Sequence, residues 1–268
     1  MPCRSRLALT AAALLVGTLG CNALTETRGA GTPVMVVLLN ARTKGSGFTT
    51  SPVTNFYRVG SAAFSSATSA TDSCRGASFD PNAAPVPVAA SSIGGGAYVA
   101  VRVSGRTDTL RKVSTTDLTY KLSAVAGLAF TPGDTMTFVV PGDNAGFPGA
   151  TLVGRTAEPF TLNPIIIPPQ AQAMTLSWSA ATDGDAAMLV SLRYNSGSGT
   201  GLNAQIFCDF RDDGSGQVQS SLAALFANSS TREVAVQRLR TALLQINGGT
   251  TSYFNMISTF ELPTPVSP

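Results

Sequence analysis

The chain has 268 residues and a formal net charge of +3, and only 12% of its residues are charged. So small a charge argues against a nucleic-acid surface, which needs clustered Lys and Arg. Histidine is absent, and with it the commonest general base and the commonest metal ligand in proteins. Hydrophobic residues make up 44% of the chain, enough for a core, and the length predicts one or two domains.

The N-terminus has the layout of a secretory signal peptide. Two arginines precede an apolar run at residues 7–19, and the run stops at Gly20 and Cys21. At 13 residues the run is too short to cross a bilayer as a helix, which takes about 20 residues. We therefore predict that residues 1–20 are a cleaved signal peptide and that the protein is exported.

The end of this leader, residues 18–21 (TLGC), resembles the lipobox of bacterial lipoproteins. In that family a small residue precedes a cysteine that is acylated and becomes the mature N-terminus. The glycine and cysteine match, whereas the first two residues depart from the usual ones. The resemblance implies lipidation at Cys21 and, because Asn22 is not aspartate, an outer-membrane lipoprotein at the cell surface or periplasmic face. Ordinary cleavage after Ala23 is the alternative.

The chain after the leader begins with segments of different character. Residues 21–33 are poor in large side chains after the cysteine, and we interpret them as a tether. The apolar run 34–39 predicts a strand buried on both faces. The next segments are predicted to be a loop (42–52), a strand (55–64) and an irregular segment (65–90).

Period-2 alternation becomes clear from residue 97. Val99, Val101 and Val103 share one face of a strand, and the turn signal Ser104-Gly105 predicts a hairpin with residues 106–113. Further alternating strands are predicted at 117–125, 135–140 and 150–160.

The second half opens with a proline-rich stretch, residues 163–172, which predicts a domain boundary or a crossover between sheets. The segment 231–246 fits either a helix face or a strand face, and its all-β surroundings favour a strand. The other predicted elements are strands at 174–179, 188–194, 204–210 and 252–262, a turn at 212–216 and a short helical turn at 222–226.

Short alternating runs between Gly and Pro turns predict an all-β fold with one or two immunoglobulin-like β-sandwich domains after the cleaved signal peptide. The predicted division is a signal peptide (1–20), a tether (21–33), an N-terminal sandwich (34–163), a C-terminal sandwich (164–262) and a disordered tail (263–268).

From residue 127 onward the layout resembles a broad group of uncharacterised all-β bacterial lipoproteins. The matching features are the turn Pro132-Gly133-Asp134 before an alternating strand, Phe147-Pro148-Gly149, Pro159, a strand with Trp178, then Cys208, an Asp-Gly-Ser-Gly turn and Leu222. The resemblance implies fold and envelope location only, because no activity is established for that group.

The cysteines predict one disulfide. Cys3 leaves with the leader and Cys21 is the expected lipid site, so Cys74 and Cys208 remain as a pair in an oxidising compartment. Cys208 is in phase with Ile206, which predicts that its side chain points inward. Two separate buried thiols are the alternative.

The acidic clusters do not fit a metal site. Asp209, Asp212 and Asp213 look like a calcium loop, but Arg211 and Ser220 stand at positions 3 and 12, where an EF-hand needs oxygen ligands. We interpret the segment as a solvated turn and predict no metal site.

No catalytic constellation is visible. The chain has neither a GxSxG serine nor a lysine in an SxxK arrangement, and a serine nucleophile needs a positioned base. Trp178 is in phase with Met174 and Leu176, which predicts a core position and not a sugar-stacking platform.

We therefore predict a lipid-anchored cell-envelope β-sandwich protein with a structural or interaction role, no catalytic residues and no cofactor. Its expected partners are the membrane, through the N-terminal lipid, and a glycan or an envelope protein, but not nucleic acid. The alternative is a glycan- or protein-binding module at the cell surface, and a hydrolase without histidine is third.

Overall fold

A computed structural model describes residues 31–44, 47–59, 70–82, 91–123, 126–169, 172–197, 201–246 and 251–262. Within these ranges the chain is mostly β-strand with one short helix. The predicted signal peptide, the lipidation site Cys21 and the predicted tail lie outside the described residues, as does most of the tether.

The described elements follow one another as short strands joined by turns. They are β1 (Thr32–Lys44), β2 (Gly47–Thr50), β3 (Val53–Val59), β4 (Ser73–Ser78), β5 (Ser91–Ser92), β6 (Tyr98–Val103), β7 (Arg106–Lys112), β8 (Tyr120–Leu122), β9 (Leu128–Phe130), β10 (Thr135–Val140), β11 (Ala150–Arg155), β12 (Met174–Ser177), β13 (Ala186–Tyr194), β14 (Ala204–Arg211), β15 (Ser215–Val218), α1 (Ser220–Ala227), β16 (Arg232–Ile246) and β17 (Ser252–Glu261).

The elements with strong alternation are confirmed. The hairpin predicted at Ser104-Gly105 is present as β6 and β7, and the ambiguous segment 231–246 is the strand β16. The strand predicted at 55–64 corresponds to β3, and its end beyond residue 59 lies outside the described residues. The predicted helical turn at 222–226 is the centre of α1.

Weakly patterned strands were predicted wrongly. The segment 65–90, expected to be irregular, contains β4, and the expected loop at 42–52 contains β2. The strand expected at 117–125 is only the three-residue β8. These strands are short, and the strands with which they pair set their bounds, among them the distant β14 for β4 and β9 for β2.

Fifteen of the described strands belong to one hydrogen-bonded sheet. Its order is β11-β10-β6-β7-β8-β3-β1-β17-β16-β13-β14-β4, with β2 and β9 branching from β1 and with β5 on β3. The other two strands, β12 and β15, form a separate antiparallel ribbon.

The sheet folds onto itself, so that its end strands β11 and β10 pack against the central strands β16 and β17. The ring of Phe138 in β10 lies 5.9 Å from that of Phe254 in β17. Between them, Gly154 in β11 lies so close to Met256 and Ala242 that a Cβ atom would collide with the methionine side chain. The all-β expectation is confirmed, in the form of a sandwich-like arrangement of sheets.

Pairing across the proline-rich stretch joins the first and the last of the described strands. β1 runs parallel to β17, from Val34 opposite Tyr253 to Ala41 opposite Phe260. A single apolar cluster contains buried residues from both sides of residue 163. The division into two domains at 163/164 remains a prediction.

The central strands are buried on both faces. Besides the main core, a second cluster on the opposite face contains Leu189, Phe207, Leu239 and Ile257. Arg75 of β4 lies over the Phe207 ring, with its Cζ atom 5.0 Å from the centroid.

Candidate functional site

The predicted disulfide is present. Cys74 in β4 and Cys208 in β14 are directly opposite each other in the antiparallel register, with Cα atoms 4.1 Å apart. Cys208 is fully buried in the core, as its phase with Ile206 predicted. The bond therefore joins the edge strand β4 to its neighbour β14 across 134 residues of sequence.

The turn after β14 is not solvated at Asp212, which corrects the sequence interpretation. Asp212 is buried, and its Oδ2 atom accepts a hydrogen bond of 2.5 Å from Nε of Arg238. Its Oδ1 atom accepts hydrogen bonds from the Trp178 indole at 2.8 Å and from the Arg238 guanidinium at 3.2 Å. Trp178 itself is in the core, as predicted.

Arg238 connects three segments of chain inside the protein. Its Nη1 atom donates to the carbonyl of Pro159 at 2.9 Å, and its Nη2 atom donates to that of Ser179 at 2.5 Å. Its Cζ atom lies 5.4 Å from the Phe160 ring centroid. With only 1% of its surface exposed, this arginine depends on these partners, because an unpaired charge in the core is very costly.

A second arginine follows two residues later on the same face of β16. Arg240 donates to both carboxylate oxygens of Glu158, at 2.5 and 2.7 Å, and to Asp183 at 2.7 Å. Arg155 completes the cluster with a 2.7 Å bond to the other oxygen of Asp183. We call these six residues the arginine cluster: Glu158, Asp183, Arg155, Arg240, Arg238 and Asp212.

The arginines of the cluster lower the pKa values of Glu158 and Asp183. Partial burial would raise the pKa of Glu158, but hydrogen bonds from Arg240 outweigh it and lower that pKa from 4.5 to about 2. The side-chain hydrogen bond from Arg240 also lowers the pKa of Asp183. Both carboxylates are held ionised, so neither is suited to act as a general acid near neutral pH.

The sequence analysis did not predict the arginine cluster, although the alternation of residues along β16 indicates part of it. Arg238 and Arg240 are in phase with the buried Val234 and Val236, so simple alternation along β16 predicts that both arginines point inward. The carboxylate partners come from separate loops, and no local pattern relates them to β16.

A concavity lies elsewhere, between β7 and the β2–β9 ribbon. It has a volume of about 700 Å³. One wall is the start of β7, with Arg106, Thr107 and Asp108. The other wall is mostly small residues around Phe48, namely Gly47, Thr49, Ala126, Gly127 and Ala129. We call this concavity the β7–β9 cleft.

The cleft exists because the sheet separates at this point. β8 pairs with β7 only through Leu110–Lys112, and its chain then continues into β9, which pairs with β2. The start of β7 and the outer edge of β9 therefore face the cleft without a neighbouring strand among the described residues. Phe48 anchors the ribbon to the core, with its ring 5.5 Å from that of Phe260.

The glycine-rich loop before β6, residues 94–96, packs against side chains of the core. The N–H of Gly95 donates to the Tyr120 hydroxyl at 3.0 Å, and that hydroxyl donates to the carbonyl of Gly96 at 2.7 Å. A Cβ atom on Gly95 would collide with the ring of Phe56. The glycines therefore permit close packing and do not form a phosphate cradle.

Neither a metal site nor a membrane-spanning helix is found in the described part of the chain. Among the described residues, no three His, Cys, Asp or Glu side chains are grouped so that they could hold a metal ion. In the same ranges, no helix combines the length and hydropathy needed to cross a bilayer. No protein-family model matches the chain, and no curated protein sequence is similar to it.

Proposed function

We propose that this chain is an exported, lipid-anchored β-sandwich protein of the bacterial outer membrane, with a structural or interaction role and no catalysis. The observation that carries the export step is the Cys74–Cys208 disulfide, because such bonds persist in oxidising compartments and are rare in the cytosol. The leader at residues 1–20 is consistent with the same route.

The lipid anchor is proposed from the sequence at the leader's end. Gly20 and Cys21 match the lipobox, and an acyl chain contributes about 0.8 kcal/mol per CH₂ buried in a bilayer. Two or more chains on one cysteine would hold the protein at the membrane without a transmembrane helix.

A non-catalytic role is supported by how the acidic groups are used. Asp212 is occupied by Arg238 and Trp178, and both oxygens of Glu158 accept bonds from Arg240. Such groups fix the loops against β16.

An interaction role is favoured by the β7–β9 cleft, and a protein partner is favoured over a glycan. Sugar-binding sandwiches present exposed aromatic rings as platforms. Trp178 and Tyr194 are buried, and Tyr98 is the one aromatic among the large hydrophobic side chains that the described residues leave exposed. The finer assignment to the immunoglobulin-like type is part of this proposal.

Detergent-phase partitioning of the wild type and the Cys21→Ser variant tests the anchor. We expect the wild type in the detergent phase and the variant in the aqueous phase, because only the variant lacks the acylated sulfur. A Cys3→Ser variant is the matched control and should behave as the wild type. Wild-type protein in the aqueous phase would contradict the proposal.

A further inference from the structure

We propose that the β7–β9 cleft binds an extended peptide segment of a partner protein, which adds its main chain to the free edge of β7. The proposal deepens the interaction role proposed above and rests on it. It specifies the site, the mode of binding and the chemistry of the partner segment.

The register of the β6–β7 hairpin shows which backbone groups face the cleft. Ser104 and Gly105 both have positive φ angles, 49° and 75°, as a two-residue type I′ turn requires. Val103 is then hydrogen-bonded to Arg106, and antiparallel pairing alternates from there.

The alternation makes Thr107 and Thr109 the residues whose N–H and C=O groups point away from β6. Arg111 follows the same alternation, so its backbone groups also point away from β6. They face Lys121 of β8, which pairs with the outer side of β7 at this point. Beyond that point the described chain supplies no partner strand. Thr107 and Thr109 thus present an unpaired edge of the kind to which an added strand binds.

The lining favours main-chain recognition over a small-molecule pocket. Pockets for small molecules are lined mainly by hydrophobic and aromatic side chains. Here Phe48 is the one aromatic residue, and the wall around it is built from Gly47, Gly127 and Ala129 together with the polar Thr49. A wall of small residues leaves room for a peptide backbone and its side chains.

The charges on β7 specify the partner segment. Arg106 and Asp108 are two residues apart and therefore on the same face of the strand. Within the described ranges neither has an ion-pair partner. An added strand with an acidic residue opposite Arg106 and a basic residue opposite Asp108 would gain two cross-strand charge pairs.

A library of random nine-residue peptides displayed on phage, selected on the full chain, provides the probe. We expect enriched peptides to have β-forming residues and opposite charges two positions apart. A selection that enriches no peptide would overturn the proposal.

A matched pair of variants at one position then separates main-chain binding from side-chain binding. Thr107→Val keeps the N–H and the shape of the side chain, whereas Thr107→Pro removes the N–H that faces the cleft. Enriched peptides should bind Thr107→Val as they bind the wild type and Thr107→Pro about tenfold more weakly, as expected for one lost hydrogen bond. Equal binding to both variants would overturn the proposal.

A second measurement does not depend on the proline variant folding. Synthetic copies of the enriched peptides with N-methyl groups at alternate residues keep their side chains but lose main-chain donors. Methylation of the residues whose N–H groups face β7 should abolish binding to the wild type. Methylation of the alternate residues, whose N–H groups point away from β7, should leave binding unchanged. Binding that survives both methylations would overturn strand addition. Detergent partitioning tests the lipid anchor independently of these binding experiments. The peptide-binding proposal can therefore be wrong while the anchoring proposal is right.

Discussion

At the scale of single residues, the buried pair Asp212–Arg238 is the most consequential polar contact. Replacing Asp212 by Ala leaves the guanidinium without its carboxylate in the core, which we expect to cost about 3–5 kcal/mol of unfolding free energy. Urea titration measures this loss. The exposed neighbour Asp213 provides the control, because Asp213→Ala should change stability by less than about 0.5 kcal/mol. Similar losses in both variants would contradict a special role for Asp212.

Glu158 gives the protein a defined response to acid. Its pKa in the fold is about 2, below the ordinary 4.5, so its stabilising effect is complete above pH 4.5 and disappears as the pH falls towards 2. With allowance for solvent screening, the effect is about 2 kcal/mol. Unfolding free energies of the wild type and Glu158→Gln should therefore differ at pH 6 and converge near pH 2. Curves that stay parallel over this range would contradict the ion-pair assignment.

The sequence carried information about inward-facing side chains but little about their partners. The core positions of Trp178 and Cys208 followed from alternation along their strands. Asp212 was interpreted as solvated because Asp-Asp-Gly is typical of surface turns. Its burial depends on Arg238, 26 residues later, and on the fold that brings β16 beneath the turn.

At the scale of elements, β4 depends on its disulfide. Its side chains are mostly exposed, so little apolar burial holds it against β14. We expect the double variant Cys74→Ala/Cys208→Ala to lose about 4–5 kcal/mol, from the loop entropy of a bond that spans 134 residues. Backbone amides of β4 should then exchange hydrogen faster, while those of β16 remain protected.

Reductant supplies the control for this prediction. It should lower the stability of the wild type to that of the double variant and leave the double variant unchanged. A wild type whose unfolding is insensitive to complete reduction would contradict the stabilising role of the bond.

Strand prediction succeeded where one face of a strand meets the core. β6 and β10 alternate clearly because only their inner faces are buried. β2 and β9 are short and flank a cleft, so pairing and not composition defines them. The sequence therefore did not predict the β7–β9 cleft. It did predict the Ser104-Gly105 turn, which joins β6 to the cleft strand β7.

At the scale of the whole molecule, long-range pairing is what local reasoning could not supply. β1 lies beside β17, so the beginning and the end of the described chain occupy the centre of one sheet. Sequence periodicity gives a strand its buried face but not its neighbour, because the neighbour is set by packing across the whole fold.

The placement of β1 also bears on the anchor. If residues 21–33 are the proposed tether, they lead into β1, and a lipid on Cys21 would hold the sandwich close to the membrane. Cleavage after Ala23 would remove that attachment and release the protein.

Mass spectrometry of the mature N-terminus, on protein isolated from membranes of the producing cells, tests lipid anchoring most directly. We predict an N-terminal peptide that begins at Cys21 and has the added mass of a diacylglyceryl group, with or without a third acyl chain. An unmodified peptide that begins after Ala23, or a chain that retains residues 1–20, would contradict it.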